Sequence, residues 1–122
     1  MKRVEMPSPN HDERGDQPID MLLLHYTGMK TAKGALDRLC DPSAKVSAHY
    51  TIDRDGTVAV HVPEEMRAWH AGVSRMKDGR PSVNNFSIGI ELVNRNDGED
   101  PFPAAQIDAM RELAAAIITR HP

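Results

Sequence analysis

A mixed α/β fold, a central β-sheet flanked by helices, is predicted by three observations. Short β-prone runs alternate with helical stretches along the chain instead of forming one block. Two of these runs flank Asp55-Gly56, a hairpin signal, because such a turn needs a positive φ that glycine adopts without strain. Near the C-terminus, Ile107, Met110, Leu113, Ala114, Ile117 and Ile118 fall on one helical stripe, which must lie on a sheet to leave water.

Residues 1–19 are polar and hold Pro7, Pro9, Gly15 and Pro18, so they read as an irregular N-terminal arm before the domain proper, residues 20–122. The apolar run 20–26 contains His25 and suits a strand buried on both faces. Over 31–40, Ala35, Leu36 and Leu39 are spaced as in a short helix, which Asp41-Pro42 would stop. Residues 48–52 and 57–62 are the hairpin strands. From 63 to 85 periodicity fades, and the segment reads as a long loop with a turn at Asp78-Gly79-Arg80-Pro81. Loops longer than about a dozen residues in compact domains are usually functional or mobile. Residues 86–93 form the clearest strand, with Ile88, Ile90 and Leu92 on one face and Gly89, Glu91 and Val93 on the other. Pro101 and Pro103 open the last helix, which covers a sheet of four predicted strands.

Composition narrows the function. The 122 residues carry 15 Lys and Arg against 18 Asp and Glu, with 39% hydrophobic and 27% charged residues, which indicates one small globular domain. A net charge of −3 without any basic cluster argues against nucleic acid or an anionic membrane as partner. No run approaches the ~20 apolar residues that span a bilayer. Met1-Lys2-Arg3 is followed by Glu5, Pro7 and Pro9 where an export signal needs apolar residues, so a cytoplasmic location is expected. The single cysteine, Cys40, can form neither an internal disulfide nor a cysteine cluster for metal, so any metal must lean on His, Asp or Glu.

Glu91 is the first candidate for chemistry. A carboxylate within an apolar strand either faces solvent, faces a cleft, or is costly to bury unpaired. Gly89, two residues earlier on the same face, leaves room for a ligand or another backbone. His25 is either a core histidine with both nitrogens satisfied or a zinc ligand whose second nitrogen is held by an acceptor. His49 has the same two readings. Trp69 and His70 either line a pocket or anchor the core. His11 and His61 read as surface residues, and His121 as a complement to the helix dipole. Glycine-rich phosphate loops and nucleophile elbows are absent.

Five segments in order resemble a known family: PSPNHDER at 7–14, LLLHYTGM at 22–29, KVSAHYTIDRDGTV at 45–58, VPEEMRAWHAGVS at 62–74 and NNFSIGIELVN at 84–94. They are similar to the zinc-dependent N-acetylmuramoyl-L-alanine amidases, in particular the cytoplasmic branch that recycles anhydro-muropeptides. That branch shares its fold with phage lysozyme-like amidases and peptidoglycan recognition proteins. The resemblance implies that His25 is a zinc ligand and that Glu91 is the catalytic acid–base. It implies substrate contact for Trp69, His70 and Asn84, and a mainly structural role for His49. The implied reaction is hydrolysis, by a zinc-activated water, of the amide bond between N-acetylmuramic acid and L-alanine in muropeptides, with no organic cofactor. Ala48 stands where the phage branch has a catalytic tyrosine, which fits the branch that uses glutamate.

In the family, a final strand and a loop carrying two more zinc ligands and a lysine follow the last helix. The resemblance therefore implies that this chain lacks them and holds one of three ligands. Zinc is then expected to bind substoichiometrically or not at all, and this chain by itself to be inactive. Two functions remain open at this point: an amidase, or a non-catalytic module that binds muropeptides.

Overall fold

The computed structural model describes residues 2–15, 18–29, 31–71, 82–95, 97–99 and 101–121; the turn expected at 78–81 lies outside them. In chain order the elements are β1 (Arg3–Glu5), β2 (His11–Glu13), β3 (Met21–Tyr26), α1 (Ala32–Leu39), β4 (Tyr50–Ile52) and β5 (Val58–Val60). Then follow β6 (Met66–Ala68), a 3₁₀ turn (Val83–Phe86), β7 (Ser87–Leu92) and α2 (Ala104–Arg120). Five strands form a mixed sheet in the order β1-β5-β4-β7-β3, and β2 pairs with β6 in a second, two-stranded sheet. The β4–β5 hairpin is antiparallel, whereas β1–β5, β4–β7 and β3–β7 are parallel.

The predicted hairpin turn forms. Gly56 sits at φ +90°, and its N–H donates to the Asp53 carbonyl at 3.0 Å. A side chain there would also collide with the first turn of α2, since a Cβ would lie 2.8 Å from the Ala105 carbonyl oxygen. Helix α2 forms as predicted, but its buried face is turned from the expected stripe. Ala109, Leu113 and Ile117 cover Tyr50, Ile52, Val58, Ile88, Ile90 and Leu92, while Ile107, Met110 and Ala114 flank the contact half-buried and Ile118 is 59% exposed. Gln106, fully buried, locks the start of α2 to the sheet by donating from Nε2 to the carbonyls of Ile52 (3.0 Å) and Val93 (3.2 Å). No helix among the described residues is long and apolar enough to cross a membrane.

Three expectations are corrected. The arm at 1–19 is not irregular: it supplies β1 to the edge of the main sheet and β2 to the small one. Between 63 and 85, β6 interrupts the expected loop and pairs with β2. Strands of three residues are too short to show a period, and only their distant partners define them. Finally, among the described residues β3 pairs with β7 alone, at the edge of the sheet, and is not buried on both faces, with Leu24 and Tyr26 45% and 53% exposed. An apolar run reports neither how many neighbours a strand has nor what covers it.

Candidate active site

Parallel pairing of β3 with β7 sets His25 directly beside Glu91, and the β4–β7 pairing sets Thr51 on the other side of Glu91. This row lies on the sheet face opposite α2, because alternation sends Ile88, Ile90 and Leu92 to the helix and Gly89 and Glu91 away from it. There, α1 forms a wall. Glu91 borders a cavity of about 250 Å³ lined by Thr27, Met29, Ala35, Arg38 and Leu39. Among the described residues its buried Oε2 has no hydrogen-bond partner. Burial pushes the carboxyl pKa up to about 7, and the charge of Arg38 offsets this only in part.

His25 is held from behind. Its Nε2 lies 2.9 Å from Nδ1 of His70, and the two rings meet edge to face with centroids 5.2 Å apart. His70 in turn places Nε2 2.9 Å from the Ser87 hydroxyl. The His70 ring lies over Gly89, where a Cβ would come within 2.6 Å of Nδ1. The glycine that left room in the strand is therefore filled by this imidazole. Burial, and then the neighbouring charges at His25, His49 and Arg14, lower the His70 pKa to about 3, so the ring is neutral near pH 7. Burial also lowers the pKa of His25.

Asn84 fixes the backbone at this point, its Oδ1 accepting the N–H groups of His70 (3.3 Å) and Ala71 (2.9 Å). Trp69 donates from its indole nitrogen to Asp12 of β2 at 3.1 Å. His49 is fully buried and braces the sheet: the Gly89 N–H donates to its Nδ1 (3.1 Å), and its Nε2 faces the Met66 carbonyl (3.0 Å). Burial lowers its pKa to about 4.

Thus the structure brings His25, Glu91, His70 and Asn84 to one place, while the indole of Trp69 is tied to β2. Sequence reasoning missed Arg38, Ser87 and Thr27. Arg38 gave no signal beyond being a basic residue near a helix end, and Ser87 none beyond being a polar residue at the start of a strand. It also misread two histidines. His61 is buried rather than on the surface: it meets the Thr51 hydroxyl at 2.8 Å and donates from Nδ1 to the Met6 carbonyl at 2.7 Å. His121, besides capping α2, contacts Glu64 at 2.9 Å.

A zinc site takes about four ligands, three of them from the protein in catalytic sites. Among the described residues no group of three His, Cys, Asp or Glu is placed to hold a metal. His25 is a single donor, and the ring nitrogens of His49 and His70 are engaged in hydrogen bonds. The described residues therefore do not make a complete zinc site.

Comparison with known proteins agrees with this geometry. The family model for N-acetylmuramoyl-L-alanine amidase matches residues 15–122. The 1,6-anhydro-N-acetylmuramyl-L-alanine amidase AmpD of Haemophilus influenzae is 35% identical over 136 residues, covering 97% of this chain and 72% of that protein. A crystal structure of a selenomethionine derivative of AmpD matches with a TM-score of 0.83 at 34% identity, over 99% of this chain and 75% of that one. AmiD from Escherichia coli, solved with the substrate anhydro-N-acetylmuramic acid-L-Ala-D-gamma-Glu-L-Lys, matches with a TM-score of 0.74 at 35% identity, over 88% of this chain and 46% of that one. With the family model matching residues 15–122, about a third of the residues identical over nearly the whole chain and the fold shared, this chain belongs to the N-acetylmuramoyl-L-alanine amidase family.

Proposed function

We propose that this protein hydrolyses the amide bond between N-acetylmuramic acid and L-alanine in peptidoglycan fragments, with Glu91 as general acid–base. One observation carries the assignment of Glu91: its buried Oε2, unpartnered, borders a cavity beside His25. A carboxylate satisfied by the fold has no capacity left for a reacting proton, whereas this one does. With a pKa of about 7, Glu91 can take a proton from water as the oxygen attacks the lactyl carbonyl. It then returns that proton to the departing L-alanine nitrogen, so a carboxylic acid and a free amine result.

The same proposal includes muropeptides as the ligand, substrate contact by Trp69 and Asn84, and a cytoplasmic location shared with the recycling branch that the sequence resembles. His70, expected to join that contact, has both ring nitrogens engaged with His25 and Ser87 instead. Zinc enters only as far as His25 serving as a donor for it, since the described residues supply no complete site. That incomplete donor set favours a second reading, a module that binds muropeptides without cleaving them.

Incubation of the chain with an anhydro-muropeptide and zinc, followed by assay for free peptide beginning at L-alanine, separates the two readings. Hydrolysis that falls at least about a hundredfold in Glu91→Ala is the result the amidase reading requires, and it would overturn the expectation that this chain by itself is inactive. Binding without peptide release would establish the module instead, and unchanged turnover in Glu91→Ala would remove Glu91 from the mechanism.

A further inference from the structure

The three hydrogen bonds that run from His25 into the fold have a fixed direction, and Val83 sets it. The Ser87 hydroxyl has one proton and gives it to the Val83 carbonyl at 2.7 Å, because a carbonyl can only accept. Toward His70 the Ser87 oxygen therefore acts as acceptor, and the proton between them, over 2.9 Å, sits on Nε2 of His70. A neutral imidazole carries one N–H, so the Nδ1 of His70 is a lone pair. The ring is packed against Gly89 and has no carboxylate partner among the described residues, so nothing there compensates an imidazolium charge and the ring is neutral. The atom facing that lone pair at 2.9 Å, Nε2 of His25, must then carry a proton.

We propose that His70 is a positioning residue for His25: through the chain Val83–Ser87–His70 the fold holds His25 as its Nε2–H tautomer and leaves Nδ1 as its lone pair for a ligand. No described residue forms a hydrogen bond to that Nδ1. The tautomer of a ligating histidine is set by the bond its other nitrogen makes, and an imidazole free to exchange protons between its nitrogens would present the wrong one part of the time. Asn84 and Gly89 belong to the same device. Asn84 pins the backbone at His70, and Gly89 leaves the space that the ring fills. The inference rests on the amidase reading for the purpose of His25, while its geometry stands independently of that reading.

Two-bond proton–nitrogen correlation NMR of the ¹⁵N-labelled full chain near pH 7 reads the tautomer of each histidine directly. Expected are an unprotonated Nδ1 and a protonated Nε2 at His25, and the same at His70. In His70→Leu the His25 nitrogens should shift toward the average of the two tautomers. In His70→Asn, whose Oδ1 can stand where Nδ1 stood, the Nε2–H pattern should return. A wild-type His25 protonated at Nδ1, or a His25 unchanged by His70→Leu, would overturn the inference. Should His70→Leu fail to fold, the wild-type spectrum decides the matter. Wild-type protein that shows this tautomer and cleaves no muropeptide would defeat the amidase reading alone.

Discussion

Glu64 and Glu91 are both partly buried carboxylates, and they lie on opposite faces of the sheet. Glu64, in the turn between β5 and β6, lies on the α2 side. It accepts hydrogen bonds from the Tyr50 hydroxyl, from Arg120 Nε at 3.0 Å with a second contact from the same guanidinium, and from His121 Nε2 at 2.9 Å. Burial alone would raise its pKa; the bonds from Arg120, Tyr50 and His121 outweigh that and bring it down to about 2. Glu91 has burial without such donors, and its pKa rises to about 7. Partners, not depth, separate the two. The larger cavity, about 560 Å³, lies beside Glu64, so volume alone would point to the wrong carboxylate. A satisfied carboxylate fastens the end of α2 to the hairpin, whereas an unsatisfied one marks a site that expects a ligand.

The contrast can be broken most severely at Glu91. Replacing it with alanine should lower muropeptide turnover by at least about a hundredfold while the melting temperature holds or rises, because an unpaired buried charge is lost. The same change at Glu64 should do the reverse, leaving the Glu91 cavity intact and destabilising the fold. With Arg120 45% exposed, solvent screening keeps that cost below the value for a fully buried pair, at about 2 kcal/mol by urea unfolding. Because the Glu64 pKa is depressed, its contribution is present above the ordinary value of 4.5 and is lost as pH falls from there toward 2. The gap between Glu64→Ala and wild type should therefore narrow in acid, and a gap independent of pH would break the assignment.

Glu91 has the opposite sign. Its raised pKa means the native state binds a proton that the unfolded state has already released, so stability declines as pH rises from 4.5 through 7. Glu91→Gln cannot pay that penalty. Its stability advantage over wild type should grow by about 2 kcal/mol between pH 5 and pH 8, measured by denaturant titration at both. Parallel curves would show that Glu91 is solvated after all. The smallest expected effect is at Tyr50, where Tyr50→Phe removes one of the donors to Glu64 and should cost about 1 kcal/mol. No measurable cost would mean that Arg120 and His121 hold Glu64 by themselves.

Much of this molecule was legible before its tertiary structure. The β4–β5 hairpin follows from Asp55-Gly56, β7 from the alternation through Ile88, Ile90 and Leu92, and α2 from its apolar stripe, because turn chemistry and periodicity are local properties. Glu91 stood out as a charge on an apolar strand, and Gly89 announced a close approach without saying by what. Tertiary structure decided the rest. That His25 and Glu91 are neighbours depends on the register of a parallel pair whose strands are separated by about half of the chain. That His70 fills the space over Gly89, that Arg38 faces Glu91 across a cavity, and that Glu64 meets Tyr50, Arg120 and His121 are contacts between distant segments. Residue type and local pattern determined which groups were available, and only the packing of elements against one another decided which carboxylate was satisfied and which was left to do chemistry.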